Sequence, residues 1–546
     1  MPWYHHTSIY QIYPRSFYDS NGDGIGDIPG IIQKLDYIKS IGYETIWCSP
    51  FFKSPQQDFG YDVSDYCDIA PEYGTLADAQ QLIDEVHKRG MKIVFDMVMN
   101  HTSVEHPWFV KDKSPKSDVG SNTSDIGHRS SDDYYIWADK PNNWKSMTGG
   151  SGWHYSPNRK QYYWASFLPF QPDLNYRNPE VKKAMLDNVR FWLKKGVDGF
   201  RLDIFNVIYK DAQLRNNPFS WKAVPDEKNP NGFFQQFKYT INQPESMEFA
   251  KELRTVCDEF GDKALLGEVS GDRKTIRKFS GNEKNDGLGL VFDFEMLPFK
   301  FNAKFFRELV SGIETDFPEP FMPVYVFSNH DRRRSIKRMK DDVQKAKLLH
   351  LFQLTVRGVP CMYYGEEIGM TDARIPFKKG LDPIAQKLKR VPRFLFDLAG
   401  ETPNRDELRT PMQWDSSFNA GFSKAEKTWL PVHTNFINVN VDKEKSDENS
   451  LLKVVQQVLK IRKEMPAIHS GTLELMRQGE LPSNVLAYKR KMEGEEVLIV
   501  LNFSKAEKEI ALSEKFSNVL FSSSANEKLS EGKIHLGAYG TMILKK

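Results

Sequence analysis

The sequence predicts an α/β protein: a (β/α)8 TIM barrel with a loop domain inserted after its third strand and a C-terminal antiparallel β-domain. Three observations carry this reading. Strand-like and helix-like segments alternate over most of the 546 residues, and eight strands can be counted. The alternation breaks after Asn100 into a stretch from about 102 to 170 that is rich in Ser, Asp, Asn, Pro and Trp and nearly aperiodic. From about residue 471 a period-two pattern takes over. The expected division is therefore a barrel over 1–101 and 171–470, an insertion over 102–170, and a β-domain over 471–546.

The elements follow in order. Ser8–Tyr13 reads as the first strand, and Ile28–Ile41 as a helix with Ile31, Leu35 and Ile38 at helical spacing. Tyr43–Cys48 and Met91–Val98 are the next strands, with helix Leu76–Arg89 between them. After the insertion come helix Pro179–Lys195 and a strand ending at Asp203. Further strands are expected at Ala264–Glu268, Leu288–Phe294, Val324–Ser328 and Pro360–Tyr364, separated by helices such as Ser246–Phe260, Phe301–Ile313 and Asp342–Arg357. Residues ~370–440 are polar and Pro-rich, as in a lid or rim, and Leu451–Met465 closes the barrel. Val485–Arg490 and Val497–Phe503 are strands of the last domain.

Polar residues gather at the C-terminal ends of these strands, where barrel enzymes build their sites. Strand three ends in Asp96-Met-Val-Met-Asn-His101, strand four in Gly199-Phe-Arg-Leu-Asp203, strand five in Glu268 and strand seven in Asn329-His330-Asp331. Gly60-Tyr61-Asp62 follows strand two. Arg201 and Asp203 are two residues apart on a strand and so share a face. A fixed cation keeps such a carboxylate ionised and oriented. Three carboxylates from three strand ends suit glycoside cleavage, in which one attacks the anomeric carbon and another delivers a proton. Metal-assisted hydrolysis fits less well, because His101 and His330 lie in separate loops without ligand spacing.

These strings resemble glycoside hydrolase family thirteen, the α-amylase family, in its α-glucosidase and oligo-1,6-glucosidase branch; Gln171-Pro-Asp-Leu-Asn175 matches a marker of that branch. The resemblance spans nearly the whole chain. It implies a retaining mechanism on a small oligosaccharide, with Asp203 as nucleophile, Glu268 as general acid/base and Asp331 as transition-state stabiliser. It further implies that Arg201 orients Asp203, that His101 and His330 bond sugar hydroxyls, and that Tyr61 is a stacking floor. Asp62 and Arg409, in Arg409-Thr-Pro-Met-Gln-Trp414, match residues that close the pocket on a terminal glucose, which favours exo-action.

Specificity rests on smaller departures. Ile204, directly after Asp203, is apolar like the Val that accompanies α-1,6 preference in the branch, and leans toward α-1,6 or mixed α-1,6/α-1,4 substrates. Arg332 and Arg333 replace the branch's usual Gln-Pro and keep trehalose-6-phosphate hydrolysis in view. An α-glucosyl transferase shares the covalent intermediate. A silent binding protein of this fold would have lost catalytic residues and carried a transmembrane helix; here all three carboxylates are present.

No cofactor is expected for catalysis. The loop Asp19-Ser-Asn21-Gly-Asp23-Gly-Ile25-Gly-Asp27 has oxygen ligands at alternate positions, as a calcium loop does. An EF-hand would need Glu where Gly30 stands. The resemblance implies a structural divalent cation held by Asp19, Asn21, Asp23, the Ile25 carbonyl and Asp27.

A formal net charge of +2, from 75 basic and 73 acidic residues, provides no attraction for nucleic acid or an acidic surface. Cys48, Cys67, Cys257 and Cys361 are scattered, which points to free thiols in a reducing compartment. With no basic n-region, no apolar h-region and no run of ~18 apolar residues, the expectation is a cytoplasmic protein, monomeric or weakly homo-oligomeric, with no membrane partner.

Overall fold

A computed structural model describes residues 2–113, 133–226, 228–399 and 402–546. Eight parallel strands form a closed barrel: β1 (Ile9–Ile12), β2 (Thr45–Cys48), β3 (Lys92–Met97), β4 (Gly199–Leu202), β5 (Ala264–Gly267), β6 (Gly289–Phe292), β7 (Met322–Val326) and β8 (Val359–Tyr363). Round the barrel the order is β1-β8-β7-β6-β5-β4-β3-β2. All eight predicted strands are present, and all but β2, which ends at Cys48 as predicted, stop short of the predicted end where the chain leaves the ladder for a catalytic-end loop.

The main helices are α1 (Ile28–Ile41), α2 (Leu76–Lys88), α3 (Pro179–Lys194), α4 (Pro244–Asp258), α5 (Arg273–Phe279), α6 (Ala303–Asp316), α7 (Val343–Thr355) and α8 (Leu451–Glu464). Most begin on a side chain that accepts from a first-turn amide: Asp27 for α1, Asn178 for α3, Asp272 for α5, Asn302 for α6, Asp342 for α7 and Ser450 for α8. α1 ends at Gly42, whose φ of 113° needs glycine and where a Cβ would meet Leu459 Cβ at 3.0 Å. α7 differs from the others: every residue from Ala346 to Thr355 is buried, so it has no solvent face.

By compactness the chain forms two units, residues 48–84 with 93–294, and residues 1–47 with 85–92 and 295–546. The first carries β3 to β6 and, from the insertion, a three-stranded sheet of Trp137–Ala138, Trp153–Ser156 and Gln161–Trp164. That sheet packs on Ile136, Trp144, Trp153 and Trp164. Part of the predicted insertion, residues 114–132, lies outside the described residues.

The second unit carries β1, β7 and β8 and the C-terminal antiparallel sheet. Its strands are β9 (Thr472–Leu475), β10 (Val485–Met492), β11 (Glu495–Asn502), β12 (Asn518–Ser522) and β13 (Thr541–Lys545), in the order β9-β10-β11-β13-β12. Alternate residues Val485 and Ala487, Leu498 and Val500, and Met542 and Leu544 point into one core, as period-two patterning requires. All four cysteines are free. Among the described residues no helix is long and apolar enough to cross a membrane.

A buried acid sits where β1, α1 and the turn after β8 meet. The hydroxyls of Tyr10 and Tyr37 both donate to Glu367 Oε1 at 2.8 Å, while Oε2 has no partner. Burial pushes the Glu367 carboxyl up to about 7 against the help of the two tyrosines. The folded chain therefore holds this proton more tightly than the unfolded chain, whose Glu titrates near ~4.3. Stability is lost as pH rises from that value to about 7, by at most about 4 kcal/mol in all. Glu367→Gln should flatten this slope in denaturant titrations between pH 5 and 8; an unchanged slope would remove Glu367 from the account.

Candidate active site

Strand register builds the first half of the site. β3 and β4 pair with Asp96 beside Arg201, and β4 and β5 pair Arg201 with Leu266. Neighbours in register on parallel strands project to the same side, so Asp96 and Arg201 emerge together. Arg201 is 1% exposed. Its Nη1 donates to Asp96 Oδ1 and Oδ2 at 2.9 and 3.0 Å, to Asp203 Oδ1 at 3.0 Å and to the Tyr61 hydroxyl at 3.3 Å. Its Nη2 donates to Glu268 Oε2. One buried guanidinium thus meets three carboxylates from the ends of three successive strands. Burial alone would lower Arg201, but the charges of Asp96 and Asp203 and the Tyr61 hydroxyl outweigh it and hold the cation firmly.

The main chain fixes both candidate catalytic carboxylates. Asp203 N–H donates to Met97 O at 3.3 Å, and Glu268 N–H to Leu202 O at 2.9 Å. Between them Ile204 is turned into the left-handed region, with φ 32° and ψ 56°. That is a costly conformation for a β-branched residue and marks a strained turn beside the site. Phe205 N–H then donates to Glu268 O at 2.8 Å, clamping the turn to β5. The Ile204 side chain packs against the cluster of Val207, Phe237 and Ile241.

Tyr61 donates through its hydroxyl to Asp96 Oδ2 at 3.3 Å. His101 Nε2 meets Tyr61 O at 3.0 Å and its Nδ1 meets the Asn100 amide at 3.2 Å, so in this structure His101 fixes Tyr61. Both ring nitrogens of His101 are thus engaged within the protein. The Gln171–Asn175 string braces the same corner: Gln171 Nε2 donates to Asp58 at 3.1 Å, and Asp173 pairs with Lys210. Asp62 is fully buried and accepts from Ser54, Gln57 and Asp58 at 2.9 to 3.0 Å. Burial, aided by the Asp58 charge, raises it to about 6 against those three bonds.

The other group forms at the end of β7. Asp331 Oδ1 accepts from Arg409 Nη2 at 2.7 Å and Arg405 Nη1 at 3.1 Å, and Oδ2 lies 3.1 Å from His330 Nε2. Burial works to raise Asp331, but His330, Arg405 and Arg409 prevail and hold it well below the usual carboxylate range. Gln11 Nε2, on β1, lies 2.8 Å from His330 Nδ1. An amide N–H donating there leaves the imidazole proton on Nε2, pointing at Asp331. Arg409 also donates from Nε to His330 O at 2.8 Å and covers the Tyr13 ring at 5.2 Å.

Sequence reasoning assigned no role to Gln11, Asp96 or Arg405. Each nonetheless orders a predicted residue. Gln11 and Asp96 carried a usable sign, a polar residue inside an apolar strand. Arg405, also bonded to Asp382 at 2.7 Å, carried none. Arg333 and Arg334 are both secured to Asp372, through Arg333 Nε and the Arg334 amide at 2.9 Å, whereas Arg332 is exposed.

The Asp19–Asp27 loop has the hard-oxygen chemistry Ca2+ takes. Here its side chains are turned onto the loop itself. Asp19 accepts from Gly22 N at 2.7 Å and Gly24 N at 2.8 Å, and Asp27 from Gly30 N and Ser20. Asn21 and Asp23 accept from Asp23 N and Ile25 N at 2.9 and 2.8 Å. Among the described residues no three of His, Cys, Asp and Glu converge as a metal cluster.

Comparison with known proteins bears on this site. The family model described as alpha amylase, catalytic domain, matches residues 11–471, and the alpha-amylase SusG C-terminal domain matches 485–543. A probable alpha-glucosidase of Rhizobium meliloti is 39% identical, covering 92% of this chain and 89% of its own. An oligo-1,6-glucosidase of Parageobacillus thermoglucosidasius is 36% identical, covering 92% and 91%. Among solved structures, an alpha-glucosyl transfer enzyme, XgtA, superposes with a TM-score of 0.89 at 36% identity, covering 100% of this chain and 99% of that one.

Proposed function

The chain belongs to the α-amylase family of glycoside hydrolases, and from that premise we propose that it is an exo-acting, retaining α-glucosidase of the oligo-1,6-glucosidase kind, releasing terminal glucose from short α-glucosides. One observation carries the retaining mechanism: Asp203 and Glu268 bond the two terminal nitrogens of the same guanidinium. Carboxyls shared in this way are held near one another, which is compatible with the ~5–5.5 Å that a direct nucleophile needs.

In this reading Asp203, kept ionised by Arg201, attacks C1 of the terminal glucose as the glycosidic bond breaks. Glu268 delivers its proton to the leaving oxygen. Water then takes the leaving group's place, Glu268 removes its proton, and glucose leaves with its α-configuration restored. Asp331, held ionised by two arginines, supports the positive charge at C1 and binds sugar hydroxyls. Asp62 and Arg409 grip the far hydroxyls and make the pocket blind.

Two tests decide substrate and direction. Soluble starch should yield glucose from chain ends with little early fall in viscosity; a rapid fall with mixed oligosaccharides would mean an open cleft and endo-action. On a panel of isomaltose, maltose, sucrose, trehalose and trehalose-6-phosphate, isomaltose should have the highest kcat/KM, because Ile204 presents an apolar face. Trehalose-6-phosphate should not lead it, since of the two departures Arg332 and Arg333, the guanidinium of Arg333 already pairs with Asp372. Glucosyl transfer is a second reading, supported by the similarity to the alpha-glucosyl transfer enzyme; transfer products exceeding free glucose at high maltose would select it.

Calcium in the Asp19–Asp27 loop would be structural, since the loop follows β1 and caps α1 through Asp27. Chelation with EDTA should lower Tm by several degrees without altering kcat of the remaining folded enzyme. An identical Tm with and without EDTA would discard the ion.

A further inference from the structure

Two guanidiniums are buried at the end of the second unit where strands begin rather than end, and among the described residues neither forms an ion pair with a carboxylate, although Glu44 and Glu314 attract Arg462 and Arg490 from further off. Arg462, on α8, is 3% exposed and donates from Nη1 and Nη2 to Leu354 O and Gly358 O at 3.0 and 2.9 Å. Its Nε is buried with no acceptor. Arg490, on β10, is fully buried and donates to the carbonyls of Thr472, Thr355 and Gly471. Burial lowers Arg462 to about 10 and Arg490 to about 9, with neighbouring Arg462 and Arg357 pressing Arg490 further down. Buried cations in proteins are ordinarily paired, because an uncompensated one costs several kcal/mol.

A cavity of about 110 Å³ opens beside Arg462. Its walls are His6 and Ser8 before β1, Gly42 and Glu44 before β2, Arg462 and Lys463 on α8, and His469. This is room for a few waters or one small ion, at ~30 Å³ per water. The two imidazoles are held in place by one hydroxyl: Ser470 Oγ lies 2.5 Å from His469 Nδ1 and 2.8 Å from His6 Nδ1. The rings meet edge to face at 5.6 Å. His469 Nε2 has no hydrogen-bond partner among the described residues. Burial, then the charges of Arg462, His6 and Arg490, depress His469 to about 4, so the cavity repels a further cation. A metal is therefore disfavoured, in spite of the two imidazoles and Glu44. Glu44 is the opposing feature for an anion; burial raises it against Lys463 and Arg462.

We propose that this cavity is a binding site for a small oxyanion of the phosphate class, held by Arg462, Lys463, His469 and Ser8 and giving Arg462 a counter-charge in direct contact. It lies at the strand starts, away from the catalytic carboxylates at the strand ends, so it is an accessory site independent of the reaction assigned above. An oxyanion there favours the proton on His469 that burial and the cationic neighbours oppose.

The test is calorimetric titration of the full chain with inorganic phosphate, at an ionic strength fixed with chloride. A single saturable site is expected. Lys463→Met and His469→Phe should each weaken it tenfold or more, and Glu44→Gln should tighten it severalfold. Hydrolysis of p-nitrophenyl α-glucoside by Lys463→Met should be unchanged, which also certifies the fold. In ¹³C-histidine spectra, phosphate should move the His469 midpoint upward. Acetate in place of phosphate separates a tetrahedral from a carboxylate preference: equal or tighter acetate binding would overturn the phosphate class. Absence of saturable heat, or equal affinity in the wild type and all three variants, would overturn the site.

Discussion

Asp203→Ala should lower kcat for p-nitrophenyl α-glucoside by about 10⁴-fold or more while leaving circular dichroism and Tm nearly unchanged. The loss is large because the covalent route disappears. The fold should survive because Arg201 keeps two other carboxylates, Asp96 at 2.9 and 3.0 Å and Glu268, so no buried charge is stranded. Azide added to the variant enters the space left by the carboxylate, attacks C1 opposite the leaving group and gives the β-glucosyl azide. Activity above a tenth of wild type, or an α-configured azide, would take the nucleophile's role from Asp203.

Glu268→Gln should separate substrates by their leaving groups. Isomaltose and maltose need a proton on the departing oxygen, and their turnover should fall by about 10²–10⁴-fold. α-Glucosyl fluoride departs without one, and its first step should fall far less. The high-pH limb of the wild-type profile, where Glu268 loses its proton, should vanish in the variant. Equal losses on both substrates would show that Glu268 shapes the pocket rather than transferring a proton.

The barrel was readable from sequence because its strands are short apolar runs that end on polar residues, a contrast that survives without any contact information. β5 is the clearest case, with Ala264 to Gly267 buried before Glu268. α5 was missed: at seven residues it is too short for periodicity to register, and its only marker is the Asp272 cap. α7 was found, as Asp342–Arg357, although it has no amphipathic stripe from Ala346 to Thr355, where every residue is buried. In the site, the carboxylates and histidines stand at strand ends and were visible. Their supports were not, since Gln11 acts across 319 positions and Arg405 across 74. The Arg332–Arg334 run shows the same limit: the residue that secures Arg333 and Arg334 is Asp372, in another loop.

The shared guanidinium also bears on timing. On the proposed mechanism, forming the glucosyl ester removes the charge of Asp203 from Arg201. Glu268, having given up its proton, then faces a cation with one fewer competitor and is the better paired for it. The carboxyl that began as a donor is left as a base at the moment an attacking water needs one. When the ester is cleaved, Asp203 regains its charge, and repulsion makes Glu268 ready to hold a proton again. The alternation between the two half-reactions is driven by the chemistry at Asp203 itself and needs no moving part.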